Sequence, residues 1–332
     1  MHVPDHLINN GTELVAGVTA AAVVAGVIVS DRRTGSAAKE LGHEEPRTLL
    51  RSPERFGAQL ATASLVFALQ MVNFPVLPGT SGHLLGGALA TALIGPRRAL
   101  LAVASVVVAQ SVFFADGGVG AMGVNLWLIA ILPVGIAAAV ERLLRSRADG
   151  SPAPWWSVAG LAAVAGPPIA SLAFAGLYAT GAIGDAGLGE VTTSMLAVHL
   201  AIGVGEAVVT LATLWVVERL GSREEVVDQA PVWGAAAVSA VGLSLLASSQ
   251  PDGLERVAGD VGFAVTGEGS ILHASPLADY AVSGLDGRLS GSLAGLLGIA
   301  LTCAVCAALV AAMRFADGGS TTDGSSGATV TA

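Results

Sequence analysis

Long, uninterrupted apolar stretches separated by polar connections make up most of the chain. Most of these stretches approach the roughly 20 residues with which a helix crosses a bilayer, and they lack the alternating pattern of membrane-barrel strands. We therefore predict an all-α integral membrane protein with about nine transmembrane helices, of which the third is short and lies within protein. The predicted segments are 13–30, 57–74, 82–95, 98–115, 122–141, 155–181, 194–217, 232–248 and 289–313.

The positions of Lys and Arg predict which side of the membrane each connection faces. If all nine segments cross and the N-terminus is outside, every basic residue except Arg256 and Arg288 falls on the cytoplasmic side. Cytoplasmic connections of membrane proteins carry an excess of Lys and Arg. We therefore expect a multi-pass protein of the cell membrane with its N-terminus outside.

Composition agrees with this assignment. The chain is 53% hydrophobic and 12% charged, whereas soluble domains carry about 25% charged residues. We expect membrane lipid around the protein and no nucleic-acid partner. On the predicted topology the outer side is rich in acidic residues, which would attract cations. An acidic surface suited to solubility or high salt explains this equally well.

The chain has two cysteines, Cys303 and Cys306, and both are predicted to be packing residues.

Two polar stretches divide the chain into domains. Residues 221–230 form a predicted cytoplasmic linker, and the Gly-, Ser- and Thr-rich residues 316–332 form a predicted disordered tail. Residues 1–220 are then a seven-helix bundle. Residues 231–315 are a two-helix C-terminal hairpin around a long outer loop.

The first two residues offer three nitrogen donors to a metal ion. The α-amine of Met1 and the backbone nitrogen of His2 close a five-membered ring, and that nitrogen and the imidazole Nδ1 close a six-membered ring. These donors lie in one plane and leave one place for a fourth. Planar nitrogen coordination suits Ni(II) or Cu(II) and accommodates Co(II), whereas zinc prefers tetrahedral sites and the hard ions prefer oxygen.

His83 is the best candidate for the fourth donor, because it follows the turn "LPGTSG" on the same predicted side of the membrane. Thr80 or Ser81 is expected to cap the helix that follows. Glycines in this segment allow another backbone to come close. From these residues alone, His83 is as readily explained as a capping or packing residue.

Other polar residues surround these positions in the sequence. His199 and Glu206 are seven residues apart and so share one helix face. Ionisable residues in a membrane are costly and usually functional, so this pair forms either a second shell or gate, or a structural pair that holds the bundle together. Asn73, Asp116 and Asn125 fall at outer helix ends and are candidates for the mouth of the site, although Asp116, which precedes two glycines, is equally typical of a turn.

Four motifs then resemble a known family. In order, "MHVPDHL", "NFPVLPGTSGHLLGGALA", "ALLAVASVVVAQSVFFADGGVGAMGVN" and "HLAIGVGEAVVT" are similar to those of CbiM/NikM proteins, the substrate-capturing (S) components of energy-coupling-factor (ECF) transporters for cobalt and nickel. The later "SSQPDGLE" resembles the PDGLE-type small component, which is CbiN/NikN-like. The chain is thus identified as a fusion of the two components.

The resemblance implies a function and a ligand set. It assigns metal binding to Met1, His2 and His83, and it makes Co2+ or Ni2+ a transported substrate rather than a cofactor. It also implies an ECF coupling (T) membrane protein and two cytoplasmic ABC ATPases as partners. This chain has no GxxxxGK[ST] motif, so we expect ATP to be hydrolysed elsewhere. Asp252 and Glu255 would lie in a loop that helps to load the metal.

The leading hypothesis is therefore an ECF-type ABC transporter component that imports Co2+ or Ni2+ and is not itself an enzyme. The alternatives are a membrane-embedded metalloenzyme that uses the same site, and a structural subunit. The chain departs from the family at residues 5–6, which read Asp-His, and after Asn125. The choice between cobalt and nickel stays open.

Overall fold

The computed structural model describes residues 1–40, 53–145, 154–184, 186–221, 229–264, 275–285 and 288–318, and it is mainly helical, as predicted. A π-helical turn, Leu126–Ile131, joins α5 to α6. The helices are α1 (Asn10–Glu40), α2 (Pro53–Gln70), α3 (Gly87–Ile94), α4 (Pro96–Phe113), α5 (Met122–Asn125), α6 (Leu132–Arg145), α7 (Trp155–Gly181), α8 (Leu188–Leu220), α9 (Gln229–Val241), α10 (Gly253–Val261) and α11 (Arg288–Gly318).

Seven helical stretches in the described part of the chain are long and apolar enough to cross a membrane. The other two predicted segments correspond to α2 and α3. Helix α2 has 18 residues and is largely buried from Ala58 onwards, and α3 has 8 residues and lies within protein, as predicted. The seven stretches are Asn10–Ser30, Pro96–Phe113, Met122–Leu144, Trp155–Gly181, Leu188–Leu220, Gln229–Leu246 and Leu289–Ala312.

A short β-hairpin departs from the all-helical prediction. Strands β1 (Phe74–Leu77) and β2 (Thr80–Gly82) pair antiparallel around a turn at Gly79, whose φ is 73°. Left-handed backbone of this kind favours glycine. The third segment therefore does not become helical at residue 82, and α3 begins only at Gly87.

The expected cap of α3 by Thr80 or Ser81 is wrong. The N-cap residue is Gly86, with a φ of 83° and no side-chain cap. Glu206, on α8, instead accepts hydrogen bonds from the backbone N–H groups of Leu85 and Gly86, both at 3.1 Å. These N–H groups belong to the two residues that precede α3, so Glu206 fixes the backbone that leads into the helix and does not cap its first turn.

The C-terminal residues pack directly on the first domain. Helices α9 and α11 lie against α2, and α11 also lies against α4. In a second contact between the C-terminal residues and the first domain, α10 lies against α8 and β2. Ser81 joins this contact, because its N–H donates to the Pro251 carbonyl at 2.9 Å and its hydroxyl donates to the Gln250 carbonyl at 2.7 Å.

The predicted linker and tail lie mainly outside the described residues. Residues 222–228 and 319–332 are not described. Helix α11 continues to Gly318, within the stretch that the sequence assigned to the tail.

Gly298 allows α11 to approach α2 closely. A Cβ atom at this position would overlap the ring of the buried Phe67 and would lie 2.9 Å from Phe114. We expect Gly298→Ala to lower the free energy of unfolding by about 1–3 kcal/mol, as overpacking does. Thermal unfolding of the purified protein in detergent measures the effect. Gly234→Ala is the control, because a Cβ there meets nothing within 4 Å, and equal melting temperatures for the two variants would contradict this packing.

Candidate metal site

The N-terminal segment is held in place by the loop before α5 and by the end of α5. The Val3 N–H donates to Asn125 Oδ1 at 2.7 Å, and Asn125 Nδ2 donates to the Val3 carbonyl at 3.0 Å. Asp5 accepts a hydrogen bond from the Gly120 N–H at 2.8 Å. These bonds lie on both sides of Pro4, so they fix the course of the chain that carries Met1 and His2 inward.

His83 lies against the N-terminal amine. Its Nδ1 is 3.1 Å from the Leu84 carbonyl oxygen, which can only accept, so Nδ1 carries the proton and Nε2 presents a lone pair. Nε2 contacts the amine of Met1. Metal-binding histidines commonly have this arrangement, in which the second ring nitrogen donates to a carbonyl. Glu206 supports it by holding the backbone of the next two residues.

The His2 ring lies beside that of His83, with 5.0 Å between the centroids and 19° between the planes. Burial lowers the pKa of the His2 imidazole to about 4, although the Asp116 carboxylate acts in the opposite direction. The ring is therefore neutral at neutral pH, as a metal donor must be. Its Nδ1 is 3.1 Å from Asp116 Oδ1, and its Nε2 is 3.1 Å from Gln110 Oε1. Metal binding through Nδ1 requires that the contact with Asp116 be exchanged.

Asp252, which lies in the C-terminal part of the chain, contacts the Met1 amine. Its Oδ2 lies 2.8 Å from the Met1 nitrogen and 3.5 Å from His83 Nε2. Burial raises the pKa of the Asp252 carboxyl, but the amine and His83 more than offset this and hold it well below its usual range. Asp252 is also the N-cap of α10, where it forms a capping box with Glu255. The capping box fixes the direction of the side chain.

The other predicted site residues separate into two groups. Asn73, Asp116 and Glu255 line the same cavity as His2 and His83, with a volume of about 450 Å³. Asn125, His199 and Glu206 are buried. Of these, Asn125 and Glu206 hold backbone near the site.

His199 lies close to the C-terminal residues. Its Nδ1 is 2.8 Å from the Met195 carbonyl, and no partner of its Nε2 is found among the described residues. A Cβ at Gly253 would lie 3.0 Å from His199 Cε1. The structure therefore places His199 beneath the start of α10 and does not pair it with Glu206.

Tyr280 lies at the site but was not predicted from the sequence. Its hydroxyl donates to Asp116 Oδ2 at 2.5 Å, and its ring lies against Phe114. Burial, followed by the charge of Asp116, raises the pKa of Tyr280 well above its ordinary value, so the hydroxyl stays a donor. No sequence signal could find this contact, because the two residues are 164 positions apart in different domains.

The N-terminal amine is a candidate donor in addition to the side chains. With the side chains placed as they are in this structure, no three or more His, Cys, Asp or Glu residues in the described part of the chain are arranged to hold a metal ion. The Met1 amine, which is buried, is the group on which His83 and Asp252 converge. Side chains alone therefore do not account for a metal site here, whereas side chains combined with the N-terminus offer one.

Similar proteins are metal transporters by name. The "Putative fused nickel transport protein NikMN" of Archaeoglobus fulgidus is 31% identical over 76% of this chain and 85% of its own length. The "Putative metal transport protein HQ_3621A" of Haloquadratum walsbyi is 34% identical over 63% of this chain and 86% of its own. A crystal structure of a truncated transition metal transporter has the same fold, with a TM-score of 0.52 and 22% identity over 66% of this chain and 99% of that one.

Family assignments agree with these relatives. Residues 2–224 match CbiM, described as the cobalt uptake substrate-specific transmembrane region, and residues 230–315 match the PDGLE domain. The resemblance stated from the sequence is confirmed. This chain belongs to the CbiM family of cobalt and nickel transport proteins and carries a PDGLE domain fused behind the CbiM region.

Proposed function

We propose that this chain is the substrate-specific component of an ECF-type importer of Co2+ or Ni2+. It captures the metal outside through the Met1 amine, the backbone nitrogen and imidazole of His2, and Nε2 of His83. The observation that carries the proposal is the contact between the Met1 amine and His83 Nε2, which are 82 residues apart in sequence. The contact brings an amine nitrogen and an imidazole lone pair together, and both are donors that a late first-row metal ion binds once the amine has lost its proton.

The chemistry of these donors favours the later transition metals. Binding through the backbone nitrogen of His2 displaces an amide proton, which requires a strongly polarising ion. Nickel and cobalt suit a planar set of nitrogen donors, and both metals appear in the names of relatives, nickel in the fused proteins and cobalt in the CbiM proteins.

We further propose that the two parts of the chain have different roles. Residues 1–220 bind the metal, and residues 231–315 form an accessory domain whose outer loop lies over the site. The N-terminus faces outward, because this orientation puts all but two of the basic residues on the cytoplasmic side.

Transport requires partners. We propose that two separate ATPases hydrolyse ATP and act through a coupling membrane protein, as the resemblance to ECF components implies. The lack of a GxxxxGK[ST] motif in this sequence is consistent with this proposal. The alternative of a metalloenzyme gains no support from the site. Among the described residues that contact the proposed ligands, none is a nucleophile paired with a base.

We expect His83→Asn to weaken binding of Ni(II) and Co(II) by more than about 100-fold, because it removes a ligand, and loss of an outer-shell partner alone costs about 10- to 100-fold. Equilibrium dialysis of the purified full chain measures this. His6→Asn is the matched control, since His6 is exposed, and its φ of 68° suits Asn. Unchanged affinity in His83→Asn would exclude His83 as a ligand.

We expect ATP-driven uptake of radioactive Ni(II) or Co(II) only in vesicles that contain this chain together with the coupling protein and both ATPases. His83→Asn should abolish uptake in the complete complex at low metal concentration, while the His6→Asn complex behaves like the native one. Uptake by this chain with ATP but without the partners would contradict the proposed ECF mechanism.

A further inference from the structure

Asp252 lies where a metal ligand would lie. Donor atoms in neighbouring positions around a first-row metal are about 2.9 Å apart, because each is about 2.0–2.2 Å from the ion and they subtend roughly a right angle. Asp252 Oδ2 is 2.8 Å from the Met1 amine and 3.5 Å from His83 Nε2. One carboxylate oxygen is therefore close to both groups that the proposed function assigns to the metal.

We propose that Asp252 is itself a ligand of the transported metal, so that the PDGLE domain completes a binding site that the CbiM region begins. This inference rests on the proposed function. The amine, the backbone nitrogen, the His2 imidazole and His83 fill the plane of four nitrogens. An oxygen adjacent to both the amine and His83 then takes an axial position above that plane.

The Asp252 carboxylate is held in position by hydrogen bonds and is not a mobile surface group. The capping box with Glu255 fixes the side chain, since Asp252 Oδ1 accepts from the Glu255 N–H at 2.9 Å and leaves Oδ2 for the amine. Immediately before Asp252, the Pro251 carbonyl accepts from the N–H of Ser81, two residues ahead of His83. The loop that supplies the carboxylate is thus bonded to the loop that supplies the imidazole.

Gly253 allows this close approach. A Cβ at Gly253 would lie 2.7 Å from Ile202 Cδ1 and 3.0 Å from His199 Cε1, both on α8. A larger residue would require either the side chains of Ile202 and His199 to move or the start of α10, with Asp252, to shift. In the PDGLE sequence, Asp252 therefore supplies the donor oxygen, and Gly253 allows α10 to pack closely on α8.

Charge gives a second reason for a carboxylate ligand. A divalent ion bound through one deprotonated amide nitrogen keeps a net charge of +1. A buried charge is costly unless it is paired. Asp252, which is 13% exposed at its side chain, balances this charge from the side of the amine. Asp116 lies near His2 and also accepts a bond from Tyr280.

The test is the infrared difference spectrum of the full chain, metal-bound minus metal-free, with one equivalent of Ni(II). We expect carboxylate stretching bands to shift in the native protein. A shifted band should be lost in Asp252→Asn at saturating Ni(II) and kept in Asp116→Asn. Asn is a good N-cap, so α10 should stay intact. Asp260→Asn is the matched control on the same helix, where Asp260 pairs with Arg256 at 2.7 Å, and it should keep every band.

We also expect Asp252→Asn to bind Ni(II) at least about 10-fold more weakly than the native protein. No carboxylate shift in the native protein, or identical difference spectra for the native protein and Asp252→Asn, would overturn the inference, whatever the affinities. A native protein that binds no stoichiometric Ni(II) would overturn the proposed function instead. The two failures are therefore distinguishable.

Discussion

A buried N-terminal amine is the constraint around which this structure is organised. Met1 is 3% exposed, and a charged amine in such a place is tolerable only if it is paired or bound to a metal. The surrounding elements meet this requirement. Asn125 holds the backbone of the N-terminal segment, Glu206 holds the backbone after His83, and Asp252 and His83 meet the amine itself.

The buried Met1 amine also links the two domains, because it contacts residues of both. The CbiM region supplies the amine and the two imidazoles, and the PDGLE domain supplies a carboxylate at 2.8 Å from the amine. The domains also meet where α9 and α11 pack on α2. On the account proposed above, metal binding strengthens the contact between the domains, because the ion draws on donors from both. Fusion in one chain raises the effective concentration of the accessory domain at the site.

The sequence predicted the long helices well, because apolar length alone specifies a membrane helix. It failed at residues 74–82, where an apolar run bends into a hairpin and the helix begins only at Gly87. The grouping of Met1, His2 and His83 followed from chelate chemistry and family resemblance. The contacts of Asp116 with Tyr280 and of Glu206 with the Leu85 backbone did not. They depend on how distant helices pack, which no local pattern encodes.

The most direct test of the central claim alters only the N-terminus. The native chain and a chain with one extra residue before Met1 are each titrated with Ni(II) and Co(II), while bound metal and visible absorption are followed. The account predicts that the native chain binds one equivalent with the absorption of a nitrogen-ligated ion. It also predicts that the extended chain, whose amine is displaced from His83, loses this binding. Equal binding by the two proteins would show that the terminal amine is not a ligand and would contradict the account.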